Sequence, residues 1–281
     1  MIHRHDLTKH SVPMPVISLL TDFGLEDEYV GVMKGVILSL CPDARIVDIS
    51  HHVAPQDVRG GAFTLRSAYP YFPSQTIHLA VVDPGVGSSR SIVAVRTRDQ
   101  IFLAPDNGIL TLILEETRIE QAVCVDNPQH MLAPVSRTFH GRDVFAPVAA
   151  RLACGIDFAS LGSLVDPREL VRLPLKPAGV DETGNLNGSV IHIDRFGNLV
   201  TDIDRQMVRD LVPEESITDV EIVVGRHVIH GLSDSYSDAD PGQLMAVMGS
   251  REMLEIAVNQ NHAAERTGSK TGDPVLVRVA K

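Results

Sequence analysis

Apolar residues in the first two-thirds of the chain follow two alternating rhythms. Short apolar runs read as strands: Val16–Leu20, "RIVDIS" (45–50), "TIHLAVV" (76–82), "SIVAVRT" (91–97), "IFLAP" (101–105) and "QAVCV" (121–125). Such runs, bounded by turn residues, are the mark of buried strands. Helix-like stretches lie between them: Glu28–Leu40, with Val32, Val36 and Leu40 on one face and Pro42 as the stop, then Val58–Tyr69, Asn107–Glu116 and Asp143–Cys154. The short polar link between "SIVAVRT" and "IFLAP" predicts a hairpin. The alternation predicts an α/β layer structure with a mostly parallel sheet. Polar ligands gather at the C-terminal ends of such strands, where Asp22 and Asp83 fall.

The rhythm changes after "LPLKPAGVDETGNLNG" (173–188), whose two prolines and three glycines read as a linker. Short, often alternating strands follow: "SVIHID", "NLVTDI", "VEIVVG", "QLMAVMG", "MLEIAV" and "PVLVRVA". They predict a small antiparallel barrel or sandwich. The predicted domains are therefore an α/β N-terminal domain over 15–175 and an antiparallel β domain over 187–281.

Composition narrows the function classes. A net charge of -11 argues against nucleic-acid or anionic-membrane binding but leaves room for a cationic small molecule. Aromatic residues make up only 4%, with no Trp, which argues against base-stacking platforms. Cys41, Cys124 and Cys154 are scattered, without a C-x-x-C, and read as reduced buried thiols in a cytoplasmic protein. The first fifteen residues lack the apolar stretch of a signal peptide, and His3, His5 and His10 read as part of a polar terminus. No run approaches the ~20 apolar residues of a membrane span. Neighbouring strand residues face opposite ways, so His51 and His52 are poor partners on one ion. No H-x-x-x-H spacing exists either, and the expectation is no metal and no cofactor.

The chemistry concentrates in a few motifs. "DPGVGSSR" lacks the third glycine of a dinucleotide fingerprint, so its glycines read as a tight turn that brings backbone close to a ligand. Asp83, Arg90 seven residues later and His140 in "TFHGRDVFAP" together can hold and polarise a water; separately they read as a loop ion pair and a structural His. Gly141 leaves room beside His140. Asp22 in "LLTDFG" suits a vicinal diol or, alternatively, a helix cap. Asp27 suits an ammonium or the following helix N-terminus. In "HIDRFGNLVTD", Asp194 and Asn198 flank Phe196, where Phe can cover an aromatic base and Asn can pair with adenine; the alternative is an Asx turn. Ser250 and Arg251 in "GSREMLEIAVNQNHAAE" can grip a carboxylate.

All these motifs together, in this order from about Val16 to Ala280, resemble the S-adenosyl-L-methionine hydroxide adenosyltransferases, relatives of the fluorinase and chlorinase enzymes. The resemblance implies an α/β N-terminal domain, a smaller β-barrel C-terminal domain, and a homotrimer that lodges S-adenosylmethionine between one subunit's N-domain and a neighbour's C-domain. It implies that Asp22 holds the ribose diol, Asp27 and Asp194 face the methionine ammonium, and Ser250 and Arg251 take its carboxylate. Phe196, Asn198 and Tyr236 would line the adenine pocket, and Asp83, Arg90 and His140 would activate water. The halogenating relatives carry a Tyr where this chain has Asp83, and the fluorinase has hydroxyls where this chain has Gly141 and Val86. Tyr29 stands where the fluorinase has a Ser that contacts methionine. The expected reaction is displacement of methionine from ribose C5′ by water or hydroxide, with Asp83 or His140 as base. A non-enzymatic sensor and a halide-dependent adenosyltransferase are the alternatives.

Overall fold

The computed structural model describes residues 14–212 and 219–279, and the chain divides into two compact units, 1–173 and 174–281. In the first unit, β1 (Val16–Thr21) leads to α1 (Tyr29–Leu40), β2 (Arg45–Ser50), α2 (Val58–Ala68) and β3 (Ile77–Val81). The hairpin β4 (Ile92–Thr97) and β5 (Ile101–Pro105) follows, then α3 (Thr111–Glu116), β6 (Ile119–Cys124) and α4 (Ala146–Ala153). The six strands form one sheet in the order β2-β1-β3-β5-β4-β6. β1–β2, β1–β3 and β3–β5 are parallel, while β4 runs antiparallel to β5 and β6.

Helices cover both faces. Ile17, Leu19, Leu79 and Leu103 pack with Met33 and Ile37 of α1 and Val148 of α4. On the other face Leu20, Ala80, Val93 and Phe102 pack with Leu65 of α2 and Ile113 of α3. Strand alternation thus splits each strand between two cores, which is why the runs are continuously apolar.

Several expectations need correction. The fully buried residues of α1 are Val30, Met33 and Ile37, while Val36 and Leu40 are half-buried against the same core. "RIVDIS" is a strand but an exposed or half-buried one, because β2 lies at the sheet edge. Helix α3 begins at Thr111, four residues after Asn107, whose side chain instead donates to the Val82 carbonyl at 2.8 Å. Cys41 is buried and Cys124 half-buried, but Cys154 is exposed; all three are free thiols. The His3, His5 and His10 reading lies outside the described residues.

The second unit is built from β7 (Gly179–Val180), β8 (Leu186–Ile193), β9 (Leu199–Asp204), α5 (Arg205–Leu211), β10 (Val220–Val224), β11 (His227–His230), β12 (Leu244–Met248), β13 (Met253–Val258), α6 (Ala263–Thr267) and β14 (Pro274–Val279). Its strands are all antiparallel, in the order β11-β10-β14-β8-β9-β13-β12 with β7 beside β8. The terminal strands of that order, β11 and β12, come back into contact, which nearly closes a barrel around Leu186, Leu199, Ile222, Leu254, Ile256 and Val277. The expected linker at 173–188 is partly structured, since β7 and the start of β8 fall inside it. Among the described residues no helix is long and apolar enough to cross a membrane.

Candidate active site

Asp83 stands two residues beyond the end of β3, on a loop folded by two tight turns, Val86 N–H to Asp83 carbonyl at 3.2 Å and Ser88 N–H to Gly85 carbonyl at 3.1 Å. Those turns bring Arg90 back onto Asp83. Arg90 Nε donates to Asp83 Oδ1 at 2.9 Å, and its Nη2 donates to Oδ2, so the carboxylate is held by a two-pronged fork. The pair is well shielded, with side-chain exposures of 5% for Asp83 and 11% for Arg90.

His140 approaches from a distant loop. Gly87 explains how: at φ 77 it presses so closely on the Arg137 carbonyl that a Cβ would not fit. The glycine-rich turn therefore seats backbone against the loop carrying His140, a different neighbour from the ligand expected. His140 precedes a single π-helical turn, Gly141–Phe145, that runs into α4. Its Nδ1 lies 2.9 Å from Arg90 Nη2. A guanidinium only donates, so Nδ1 accepts and the neutral ring carries its proton on Nε2. Burial, followed by the Arg90 charge, lowers the His140 pKa from the ordinary 6.5. Gly141 borders the same open space as His140, and an added Cβ there would crowd Met33, Phe139 and Phe23.

Asp83 and His140 open onto a cavity of about 310 Å3 lined also by Asp22, Phe23, Tyr29, Val86 and Phe139. Phe23, Tyr29 and Phe139 form an aromatic wall, with ring centroids 5.0–6.2 Å apart. Asp22 follows β1 and does not cap α1, whose first turn has no side-chain cap. Its Oδ2 accepts the Gln56 N–H at 2.8 Å. Asp27 is exposed and lies outside this cavity.

The second unit carries a larger cavity, about 750 Å3, and the structure brings Asp194, Phe196, Asn198, Tyr236, Ser250 and Arg251 together around it. Asp194 does form an Asx turn: Oδ1 accepts the N–H groups of Phe196 and Asn198, each at 2.9 Å, and Oδ2 accepts Asn198 Nδ2 at 3.1 Å. Phe196 stands 77% exposed at the rim, while Asn198 is buried. Tyr236 donates to Glu255 Oε2 at 2.7 Å, and Arg251 Nη1 lies 3.8 Å from Glu255 Oε1. Burial and then Glu255 push the Tyr236 phenol well above its usual range, so it remains a donor.

Glu255 was missed from sequence. It is buried at 4% on β13, where its neighbours Leu254 and Ile256 made the run read as plain strand. A signal exists in Gly249, whose Cβ would collide with the Glu255 carboxylate. His51 is buried and His52 exposed, and among the described residues no cluster of three metal-binding side chains occurs.

Residues 17–162 match the SAM hydroxide adenosyltransferase N-terminal domain, and residues 188–276 match the C-terminal domain of the same family. The (R)-S-adenosyl-L-methionine hydrolase of Salinispora arenicola (strain CNS-205) is 39% identical over 264 residues, covering 94% of this chain and 97% of that protein. A fluorinase of Nocardia brasiliensis (strain ATCC 700358 / HUJEG-1) is more distant, 30% identical over 292 residues with 94% and 97% covered. Among solved structures, an uncharacterized conserved protein from Thermotoga maritima superposes with a TM-score of 0.87 at 37% identity, covering 93% of this chain and 99% of that one. Both domains and nearly the full length agree: the chain belongs to the SAM hydroxide adenosyltransferase family.

Proposed function

We propose that this chain is an enzyme that hydrolyses S-adenosyl-L-methionine, the R sulfonium epimer in particular, to adenosine and L-methionine. The observation that carries the reading is the Asp83–Arg90–His140 cluster, whose Asp83 and His140 line the cavity of about 310 Å3. Water oxygen bonds to ribose C5′ as the C5′–S bond breaks, and the electron pair of that bond stays on the sulfur of neutral methionine. The leaving group is already activated by its positive charge, so the protein's task is to place the nucleophile in line and take one proton. In this reading Asp83 takes that proton. Its fork with Arg90 leaves lone pairs free on the cavity side, whereas the Nδ1 of His140 is already engaged. The Nε2–H of His140 then donates to the water and fixes its lone pair toward C5′. The anionic Asp83 disfavours a halide in the same place.

Around this centre Asp22 holds the ribose diol. Its Oδ1 is the oxygen not taken by Gln56. Asp27 and Asp194 face the ammonium, Ser250 and Arg251 take the carboxylate, and Phe196, Asn198 and Tyr236 hold adenine. The reading includes a homotrimer with sites at subunit interfaces and no metal or cofactor. The test is turnover of the separated sulfonium epimers in oxygen-18 water, with excess chelator, with and without chloride. The expected products are equal amounts of methionine and adenosine labelled at the 5′ hydroxyl, from the R epimer. Unlabelled adenosine, a 5′-chloro product, loss of activity to the chelator, or binding without turnover would each overturn the corresponding part.

A further inference from the structure

Asp22 lies in a turn, Thr21–Gly24, and one buried residue outside the cavity holds that turn at both ends, His51, by its side chain at Thr21 and by its backbone carbonyl at Gly24. His51 Nδ1 is 2.8 Å from Thr21 Oγ1, and the His51 carbonyl accepts the Gly24 N–H at 2.8 Å. Thr21 Oγ1 also accepts the Phe23 N–H at 3.3 Å, so the hydroxyl proton points to His51 Nδ1. The opposite ring nitrogen, Nε2, lies 3.1 Å from Asp48 Oδ1, at an angle that makes the contact electrostatic rather than a straight hydrogen bond. Asp48 is itself anchored by Lys34 of α1 at 2.6 Å. The loop that starts at His51 also supplies Gln56, held at φ 67, whose N–H meets Asp22 Oδ2.

The Thr–His–Asp order resembles a hydrolase relay, but Thr21 is fully buried and its oxygen is engaged twice, so it has no access to a substrate. His51, 3% exposed, does not line the cavity either, whereas Asp22 and Phe23 do. The array is placed to set a direction. We propose that His51 is a positioning residue which, through Thr21 and Gly24, aims the Asp22 carboxylate at the ribose 2′ and 3′ hydroxyls. The inference rests on the reading of Asp22 as the diol acceptor.

The experiment measures binding of adenosine and of 2′,3′-dideoxyadenosine to the intact protein by calorimetry. Wild type is expected to favour adenosine by about a hundredfold, the scale of two hydrogen bonds to a charged acceptor. Asp22→Ala should erase the preference. His51→Ala and Thr21→Val should each reduce it to under about tenfold, while affinity for the dideoxy compound stays near wild type. Thr21→Val keeps the side-chain shape and covers the case in which His51→Ala does not fold. Ser18→Ala disturbs a different buried pair on the same strand, Ser18 with His78, and should lower the unfolding midpoint without changing the preference. If Asp22→Ala keeps the preference, the diol reading fails and this inference falls with it. If Asp22→Ala loses the preference but His51→Ala and Thr21→Val retain it, the diol reading stands and the positioning role is overturned.

Discussion

Arg90 sets the state of its two neighbours because it can only donate. It holds the Asp83 carboxylate through the fork and forces the His140 Nδ1 to accept. The imidazole is therefore neutral at pH 7, with burial the larger cause of its lowered pKa and the Arg90 charge the second. Protonation at Nδ1 would set two positive groups face to face, so the His140 ring should titrate below 6.5 when followed by NMR. Arg90→Gln removes one of the two lowering causes and leaves Asp83, which raises the pKa, so the midpoint should move up. A midpoint above 6.5 in the wild type, or one unmoved in the variant, would contradict this picture of the cluster. Asp83→Ala should lower single-turnover rates by about a hundredfold, a usual contribution from a positioned base, with substrate affinity near wild type. Normal turnover, or a loss confined to affinity, would remove Asp83 from the chemistry. Asp83, Arg90 and His140 stood out as candidates in the sequence only together with the other motifs of the family resemblance, because each alone reads as a loop ion pair or a structural His. Glu255 and His51 did not stand out, because each is buried among strand or turn residues and acts through a contact that spacing does not reveal.

At the scale of elements, the apolar runs were read as strands in both units, and the elements missed were α5, α6, β7 and β11. Helix α5 buries only Val208, so it gives no periodic signal, although Asp204 caps it through the Met207 N–H at 2.8 Å. Strand β11 was missed because four residues, half of them His, do not alternate cleanly. The fully buried positions of α1 were missed because Val30, Met33 and Ile37 follow the same spacing as Val32 and Val36, and only the tertiary packing decides which lie deepest. The pairing of β1 with β3 hides a further polar contact, Ser18 Oγ with His78 Nδ1 at 2.7 Å, in a ring stacked on Phe102. Burial lowers the His78 pKa to about 4, with Gln100 opposing. The folded state thus keeps His78 neutral while the unfolded chain takes up a proton as pH falls through about 6.5. Stability is lost between those two values and levels off below about 4, by roughly 3 kcal/mol in all. Urea unfolding from pH 7 to 4 should therefore show a smaller decline for His78→Gln than for wild type. Parallel curves would mean that the His78 proton is not linked to folding.

At the scale of the molecule, the break in composition after residue 173 marked the change of architecture, because the two halves solve burial differently. The first buries apolar runs on both faces of a sheet under helices, and the second closes its strands around a main core, with a smaller cluster of Ala239, Met245, Val247 and Ala257 beside it. Each unit carries its own cavity, and the proposed substrate roles are divided between them: Asp22, Asp83 and His140 in one, Asn198, Tyr236, Ser250 and Arg251 in the other. A homotrimer that builds each site from two subunits makes a sharp prediction from this division. Asp83→Ala spoils only the first unit's contribution, and Arg251→Ala only the second's. Each variant alone should be nearly inactive. Co-expressed in equal amounts in a cyclic trimer, a site is intact when an Arg251→Ala subunit supplies its first unit and the neighbouring Asp83→Ala subunit supplies its second, which happens for about a quarter of sites under random mixing. The mixed protein should recover about that fraction of wild-type turnover and sediment at three times the chain mass of 30.5 kDa. Sites built within one subunit would recover nothing, because every chain in the mixture carries one lesion. Assays of the co-expressed pair against each variant alone separate the two outcomes, and no recovery in a protein of trimer mass would exclude the shared site while leaving the trimer in place.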